Sequence, residues 1–337
     1  MIKKNILGKT GIEVSVIGFG GAPLGDLFEN LDDQVCYDTL KNSHKNGINF
    51  FDTSPYYGYG LSEHRIGNYL KSIRRKDFTL CTKVGRYMTP DDSKKINRGS
   101  FKGGLNFSPN LDYSYDGVMK SFEQSLLRLG LSEIDICLIH DVDKWTHGDE
   151  VEKHFKEAMN GAYKALDKLK NEKVIKAIGV GLNESDMCVR FAEAGDFDCM
   201  ILAGRYTLLE QEPLDVFFPL ALKKNIGIIL AGVFNSGILI KGVGNNSTYD
   251  YKKIPDDIAK KYFKIDMICK EFDIPIGAAA LQFSNAHSVV STMILGMDQP
   301  SQINKNIDLF NYKIDKEFWY KLIKEKLIDS RSPIPNN

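Results

Sequence analysis

The chain of 337 residues carries 44 Lys+Arg against 44 Asp+Glu, a formal net charge of zero and a pI near 7.0. Without a basic block it lacks the charge on which nucleic-acid affinity rests, so no nucleic-acid partner is expected. A hydrophobic content of 43% with 26% charged residues excludes disorder, collagen and coiled coil and supplies a large core.

The opening MIKKNILGKTGIEV holds charges but no apolar secretory segment, and no stretch approaches the roughly 20 apolar residues that cross a bilayer. The six cysteines are scattered without a CxxC pair and sit in apolar or helical runs, as buried reduced thiols do. A cytoplasmic protein with no membrane association is expected. Residues Lys3–Val14, turning at Gly8-Lys9-Thr10-Gly11, read as a small hairpin under the main fold.

Eight short apolar runs follow: Val16–Gly21, Ile48–Asp52, Thr79–Val84, Ile134–His140, Val174–Val180, Asp198–Ala203, Ile226–Ala231 and Val289–Leu295. Continuous rather than alternating hydrophobicity marks strands buried on both faces, as in parallel sheets. Helical patterns fill the gaps at Asp33–Lys45, Ser62–Leu70, Tyr115–Leu129, Gly161–Lys170, Glu184–Ala194, Leu214–Lys224, Asp256–Phe272 and Ser301–Leu309, with a terminal helix at Glu317–Leu327. Eight βα units without a break in composition predict one α/β domain over residues 1–337, a (β/α)8 TIM barrel with an N-terminal β-hairpin. An open dinucleotide-binding sheet fits worse, because Gly18-Phe19-Gly20-Gly21-Ala22-Pro23 puts proline where the third glycine of GxGxxG belongs. Three extended βα loops, Gly85–Ser114, Asp141–Asn160 and Gly232–Pro255, all follow strand C-terminal ends, where barrels build active sites, and are expected to form lids.

Candidate chemistry lies past the same strand ends. Asp52 ends the second run, Tyr57 follows it, Lys83 sits in the third and His140 ends the fourth. Singly these are unremarkable: Asp52 could cap a turn, His140 could be a satisfied core histidine, and Tyr57 has Tyr56 and Tyr59 for neighbours. Lys83 in a buried strand is rarer. Together they suit proton transfer. A phenol titrates near 10, and bringing it to neutrality takes roughly 4 kcal/mol, which a neighbouring ammonium fixed by a carboxylate can supply. An imidazole beside it can donate to a substrate oxygen. The regular spacing of His140, His147 and His154 comes without HExxH or CxxC, and no metal site is expected.

GINFFDTSPYYGYGLSEHRIG, CTKVG, IDICLIHD, IKAIGVG and ILGMDQPSQINKN, in this order and spacing, resemble the aldo-keto reductases from Gly8 to about Leu309. The resemblance implies the same barrel, a catalytic tetrad at Asp52, Tyr57, Lys83 and His140, and a nicotinamide cofactor. It places cofactor contacts at Gly21, Asp52, Asn183, Gly232, Phe234, Gly296, Met297, Asp298, Gln302 and Asn306. Gly296 and Gln302 stand where relatives that use NADP carry Lys and Arg, and Asp298 adds a carboxylate that repels a 2′-phosphate but can accept from a ribose hydroxyl. NAD is therefore expected, with NADP left open by Lys305. Two departures concern nicotinamide positioning: the usual Ser-Asn reads Gly181-Leu182 with Asn183 one place later, and the usual Gln is replaced near Ala203 and the usual Tyr near Ala231 or Gly232.

HDVDKWTHG, FKEAMNGAYKAL, FDCMILAGRYTLLEQ and NSGIL resemble, within the family, the branch of D-threo-aldose 1-dehydrogenases (L-fucose dehydrogenases) and pyridoxal 4-dehydrogenases. That implies oxidation of the anomeric hydroxyl of an L-fucose, D-arabinose or L-galactose type aldose to the lactone, with Tyr57 as acid/base. Tyr57, His140, Trp145 and Tyr206 are expected to line the substrate site, with Asp141, Asp143 and Arg205 able to bind hydroxyls; the plainer reading pairs Arg205 with a nearby carboxylate. The alternatives are a pyridoxal 4-dehydrogenase, a general NADPH-dependent aldehyde or ketone reductase, and a non-catalytic cofactor-binding subunit. Partners are small sugars or aldehydes, and the chain is either a monomer or a homo-oligomer.

Overall fold

The computed structural model describes residues 2–92, 96–244, 247–250 and 252–335. Its eight barrel strands are β1 (Ile17–Gly20), β2 (Phe50–Asp52), β3 (Thr79–Val84), β4 (Ile136–His140), β5 (Ala177–Leu182), β6 (Cys199–Ala203), β7 (Gly227–Ala231) and β8 (Val290–Gly296). Each pairs in parallel with its sequence neighbours, and β8 closes on β1 through Met293↔Ile17 to Gly296↔Gly20. All eight expected runs are strands of this barrel. The strand residues are almost all buried, as a sheet covered by helices outside and filled within demands.

Leu7, Val14, Phe50, Cys81, Ile136, Leu138, Ala177, Cys199, Ile201, Ile229 and Ile294 form one interior cluster. Leu7 and Val14 belong to the N-terminal hairpin, whose strands Lys4–Ile6 and Glu13–Ser15 pair antiparallel. The hairpin therefore plugs the floor. A side chain at Gly8 would meet the backbone nitrogen of Gly227 at 2.4 Å, at the start of β7.

The helical shell contains α1 (Asp33–Lys45), α2 (Leu61–Leu70), α3 (Tyr115–Leu129), α4 (Tyr163–Asn171), α5 (Ser185–Ala194), α6 (Phe217–Lys224), α7 (Asp256–Glu271), α8 (Ile276–Asn285), α9 (Pro300–Phe310) and α10 (Lys316–Lys324). Asp32 and Ser114 accept backbone N–H groups at the starts of α1 and α3. Helix α8 was not expected from sequence. Its residues Gly277 to Ser284 are all buried, so it has no polar face to make a period visible.

All three long insertions are more ordered than loops, the third holding a short helix at Ile238–Lys241. The first holds an antiparallel ribbon, Arg86–Pro90 against Phe107–Leu111. The second is helical at Lys144–His147 and Val151–Glu157, then passes through a π turn at Ala158–Ala162 into α4. Residues 93–95 of the first insertion and 245, 246 and 251 of the third lie outside the described residues. Among the described residues no helix is long and apolar enough to cross a membrane.

Candidate active site

At the C-terminal mouth the loops after β1 and β2 touch backbone to backbone. A Cβ on Gly58 would lie 2.5 Å from the Gly25 carbonyl oxygen, and one on Gly25 would lie 2.5 Å from the Gly58 nitrogen. Gly58 and Gly60 also take positive φ, with Tyr59 between them at φ 55°. This tight turn presents Tyr57, partly open to solvent, over the end of β2.

Lys83 rises from β3 inside the barrel. Its Nζ donates to both Asp52 oxygens at 2.8 Å and to the Thr53 carbonyl at 2.9 Å, filling its three donor positions. The same Nζ lies 4.7 Å from the centre of the Tyr57 ring. The Tyr57 and His140 rings meet edge to face, with centroids 6.0 Å apart. His140 Nδ1 is 3.2 Å from Ser54 Oγ, and its Nε2 is 3.5 Å from Asp141 Oδ1. The four residues expected to act together are thus in one place.

Their charges follow from burial. Burial alone would lower the Lys83 ammonium, but the Asp52 carboxylate outweighs it and holds it well above the usual lysine range. Burial, then Lys83 and Arg86, push His140 far below its ordinary value, so the imidazole is neutral. Tyr57 departs from the sequence expectation. Burial raises its phenol above the ordinary value near 10, and the opposing pull of Lys83 does not overcome this. The resting group is a neutral phenol, a proton donor.

Arg86, at the start of the ribbon, pairs with Asp141 at 3.1 Å and lies over the Tyr56 ring at 4.7 Å. Sequence reading missed this arginine, although its place three residues after Lys83 put it at the mouth. Asp143 is fully buried: it accepts from Thr146 N at 2.9 Å and from Asn183 N and Nδ2 at 3.1 and 3.0 Å. Trp145 stays 43% exposed, with the Lys252 ammonium 5.3 Å from its ring centre.

Three further residues are engaged within the chain. Arg205 pairs with Asp250 at 2.8 Å and donates to the Asn183 carbonyl at 2.9 Å, the plainer of its two readings. Tyr206 does not line the mouth. At 1% exposure it packs among Phe218, Phe283 and His287, because the chain turns outward after β6 and carries the ring into the helical shell. Met297 is likewise buried, at 1% exposure.

Six of the expected cofactor residues (Gly232, Phe234, Gly296, Asp298, Gln302 and Asn306) line one groove of about 390 Å³ after β7 and β8. Lys241, Lys305, Ser236 and Thr248 share its wall. Two ammonium groups, two hydroxyls, two amides and one carboxylate around an apolar floor suit the phosphates and adenosine of a dinucleotide. Gln302 donates to Asp298 Oδ1 at 2.7 Å and accepts from the Asp298 amide at 2.8 Å, so the two expected 2′-site residues are bonded to each other. Gly21 and Asn183 are differently placed. Gly21 donates to the Asp52 carbonyl at 2.8 Å and accepts from Ser62 Oγ at 2.7 Å, and Asn183 is tied to Asp143.

A closed parallel barrel with a phenol, a carboxylate-held ammonium and a neutral imidazole at its mouth, and a groove after β7 and β8 at the same end, fits a nicotinamide-dependent oxidoreductase. The chain belongs to the Aldo/keto reductase family, whose sequence model matches residues 16–327. It is 39% identical over 336 residues to pyridoxal 4-dehydrogenase of Microbacterium luteolum, covering 97% of this chain and 98% of that one. It is 32% identical over 323 residues to D-threo-aldose 1-dehydrogenase of a Pseudomonas species, covering 94% and 96%. The fold superposes on an aldo-keto reductase from Bacillus halodurans in its holo form with a TM-score of 0.75 at 23% identity, over 98% of this chain and 97% of that one.

Proposed function

We propose that the enzyme oxidises the anomeric hydroxyl of a cyclic aldose of the L-fucose, D-arabinose or L-galactose type to the lactone, using NAD. The observation that carries this is the meeting of Tyr57 and His140, edge to face at 6.0 Å, with the Asp141 carboxylate beside them. A hemiacetal hydroxyl needs a proton acceptor and a hydrogen-bond donor on one oxygen, and a sugar's other hydroxyls need acceptors nearby. Nicotinamide, when bound, supplies the hydride acceptor. Gly232, Phe234, Gly296, Asp298, Gln302 and Asn306 would hold its dinucleotide, with Asp298 disfavouring a 2′-phosphate. Lys83 stabilises the phenolate form of Tyr57 while the proton is received, Asp52 fixes Lys83, and His140 holds the substrate oxygen. In the reducing direction Tyr57 returns the proton.

Pyridoxal is the second reading, supported by the 39% identity to a pyridoxal 4-dehydrogenase; its cyclic form presents the same hemiacetal group. The six buried free cysteines agree with a reducing compartment such as the cytoplasm. The test is a panel of L-fucose, D-arabinose, L-galactose and pyridoxal with NAD+ and NADP+, together with an aromatic aldehyde and NADPH, followed by nicotinamide absorbance. Turnover of the sugars with NAD+ is expected. Turnover of pyridoxal alone moves the assignment to the second reading, turnover of the aromatic aldehyde alone to a general reductase, and cofactor binding without turnover to a non-catalytic subunit.

A further inference from the structure

We propose that Ser54 is a positioning residue that fixes the tautomer of His140: its hydroxyl donates to Nδ1 and leaves the imidazole proton on Nε2, facing the substrate oxygen. Ser54 is fully buried, and its Oγ makes two contacts, with the Tyr56 amide at 3.1 Å and with His140 Nδ1 at 3.2 Å. A hydroxyl has one proton to give and two lone pairs. The Tyr56 N–H is already a donor to one lone pair. Among the described residues the only acceptor left within reach of the Ser54 proton is Nδ1, and it accepts only when unprotonated.

The other end of the ring agrees. Nε2 lies 3.5 Å from Asp141 Oδ1, one oxygen of a carboxylate whose other oxygen, Oδ2, pairs with Arg86 at 3.1 Å. A bare Nε2 lone pair there would face negative charge, whereas an N–H is attracted to it. Ser54 and Asp141 thus favour the same tautomer from opposite sides. Burial and the cations Lys83 and Arg86 keep the ring neutral, so the choice is between two tautomers. The segment also couples this choice to the acid/base group, because the Tyr57 amide donates to the Ser54 carbonyl at 3.1 Å and one turn carries both side chains.

The inference rests on the proposed place of His140 at the reacting oxygen, but on no particular substrate. Its first test needs none: in enzyme labelled with 15N-histidine, the His140 resonances are assigned by their loss in His140→Asn. Wild type is expected to show Nδ1 bare and Nε2 protonated at neutral pH. Ser54→Ala is expected to mix the tautomers and lower kcat about tenfold, with KM and NADH affinity within about twofold of wild type, the size expected for one neutral hydrogen bond. Ser54→Thr restores both. A protonated Nδ1 in wild type, or Ser54→Ala turning over at the wild-type rate, overturns the inference. An inactive substrate panel with the expected tautomer tells against the substrate reading and leaves this one standing.

Discussion

Replacing Lys83 with methionine separates the two tasks of that ammonium. Methionine keeps the length of the stem and removes three donors, two to Asp52 and one to Thr53. Asp52 is 1% exposed, and breaking a buried pair by removing one member costs about 3–5 kcal/mol. The second task is electrostatic. At the 4.7 Å that separates Nζ from the Tyr57 ring centre, with an effective dielectric near 20, an ammonium favours a phenolate by about 3.5 kcal/mol. Its loss lowers the phenolate fraction roughly 400-fold at fixed pH. Lys83→Met should therefore lose two to three orders of magnitude in kcat for oxidation and melt several degrees lower. The double variant Asp52→Asn with Lys83→Met should regain stability and not activity, since no carboxylate is then stranded. Thermal unfolding and initial rates of NADH formation read the two effects separately. If Lys83→Met turns over within about threefold of wild type, the electrostatic account of Tyr57 is wrong.

Tyr57→Phe should abolish turnover in both directions while NADH, titrated by its fluorescence, binds as before; retained activity would remove Tyr57 from the chemistry. Because burial holds the Tyr57 phenol above its ordinary value, the phenolate grows as pH rises, so kcat for oxidation should climb steadily to about pH 9 while reduction, which uses the phenol, stays flat. An oxidation rate that levels off near pH 7 would contradict this. Asp298→Ala, combined with Gln302→Arg, removes a carboxylate and adds a fork for a phosphate; kcat/KM with NADP+ should rise at least about tenfold relative to NAD+. No change in that ratio would place cofactor discrimination elsewhere in the groove.

Much of this architecture was legible before any coordinates. Strands buried on both faces give uninterrupted apolar runs, and functional groups in a barrel cluster past their ends, so Asp52, Lys83 and His140 could be picked out by position. Tyr57 could not be told from Tyr56 and Tyr59 by spacing; the family resemblance singled it out. The misses have physical causes. Helix α8 is buried all round and shows no stripe. Tyr206 leaves β6 at the mouth end, but where the chain then turns is decided by packing against Phe218 and Phe283, which a local reading does not contain. The neutral state of Tyr57 depends on desolvation and on the charges of Lys83, Asp52 and Asp141, a sum over residues far apart in the chain.

The π turn at Ala158–Ala162 bears on how this barrel could be rebuilt. A methyl group added at Gly161 would lie 2.5 Å from the Tyr113 carbonyl, and the Tyr113 hydroxyl holds the His140 carbonyl at 2.7 Å. A graft that swaps the Gly85–Ser114 segment for a relative's must therefore bring along a matching side-chain-free seat on the second insertion. Without that seat, the crowding is passed through one tyrosine to the end of β4, and a change of specificity designed on one loop turns into a loss of alignment on its neighbour.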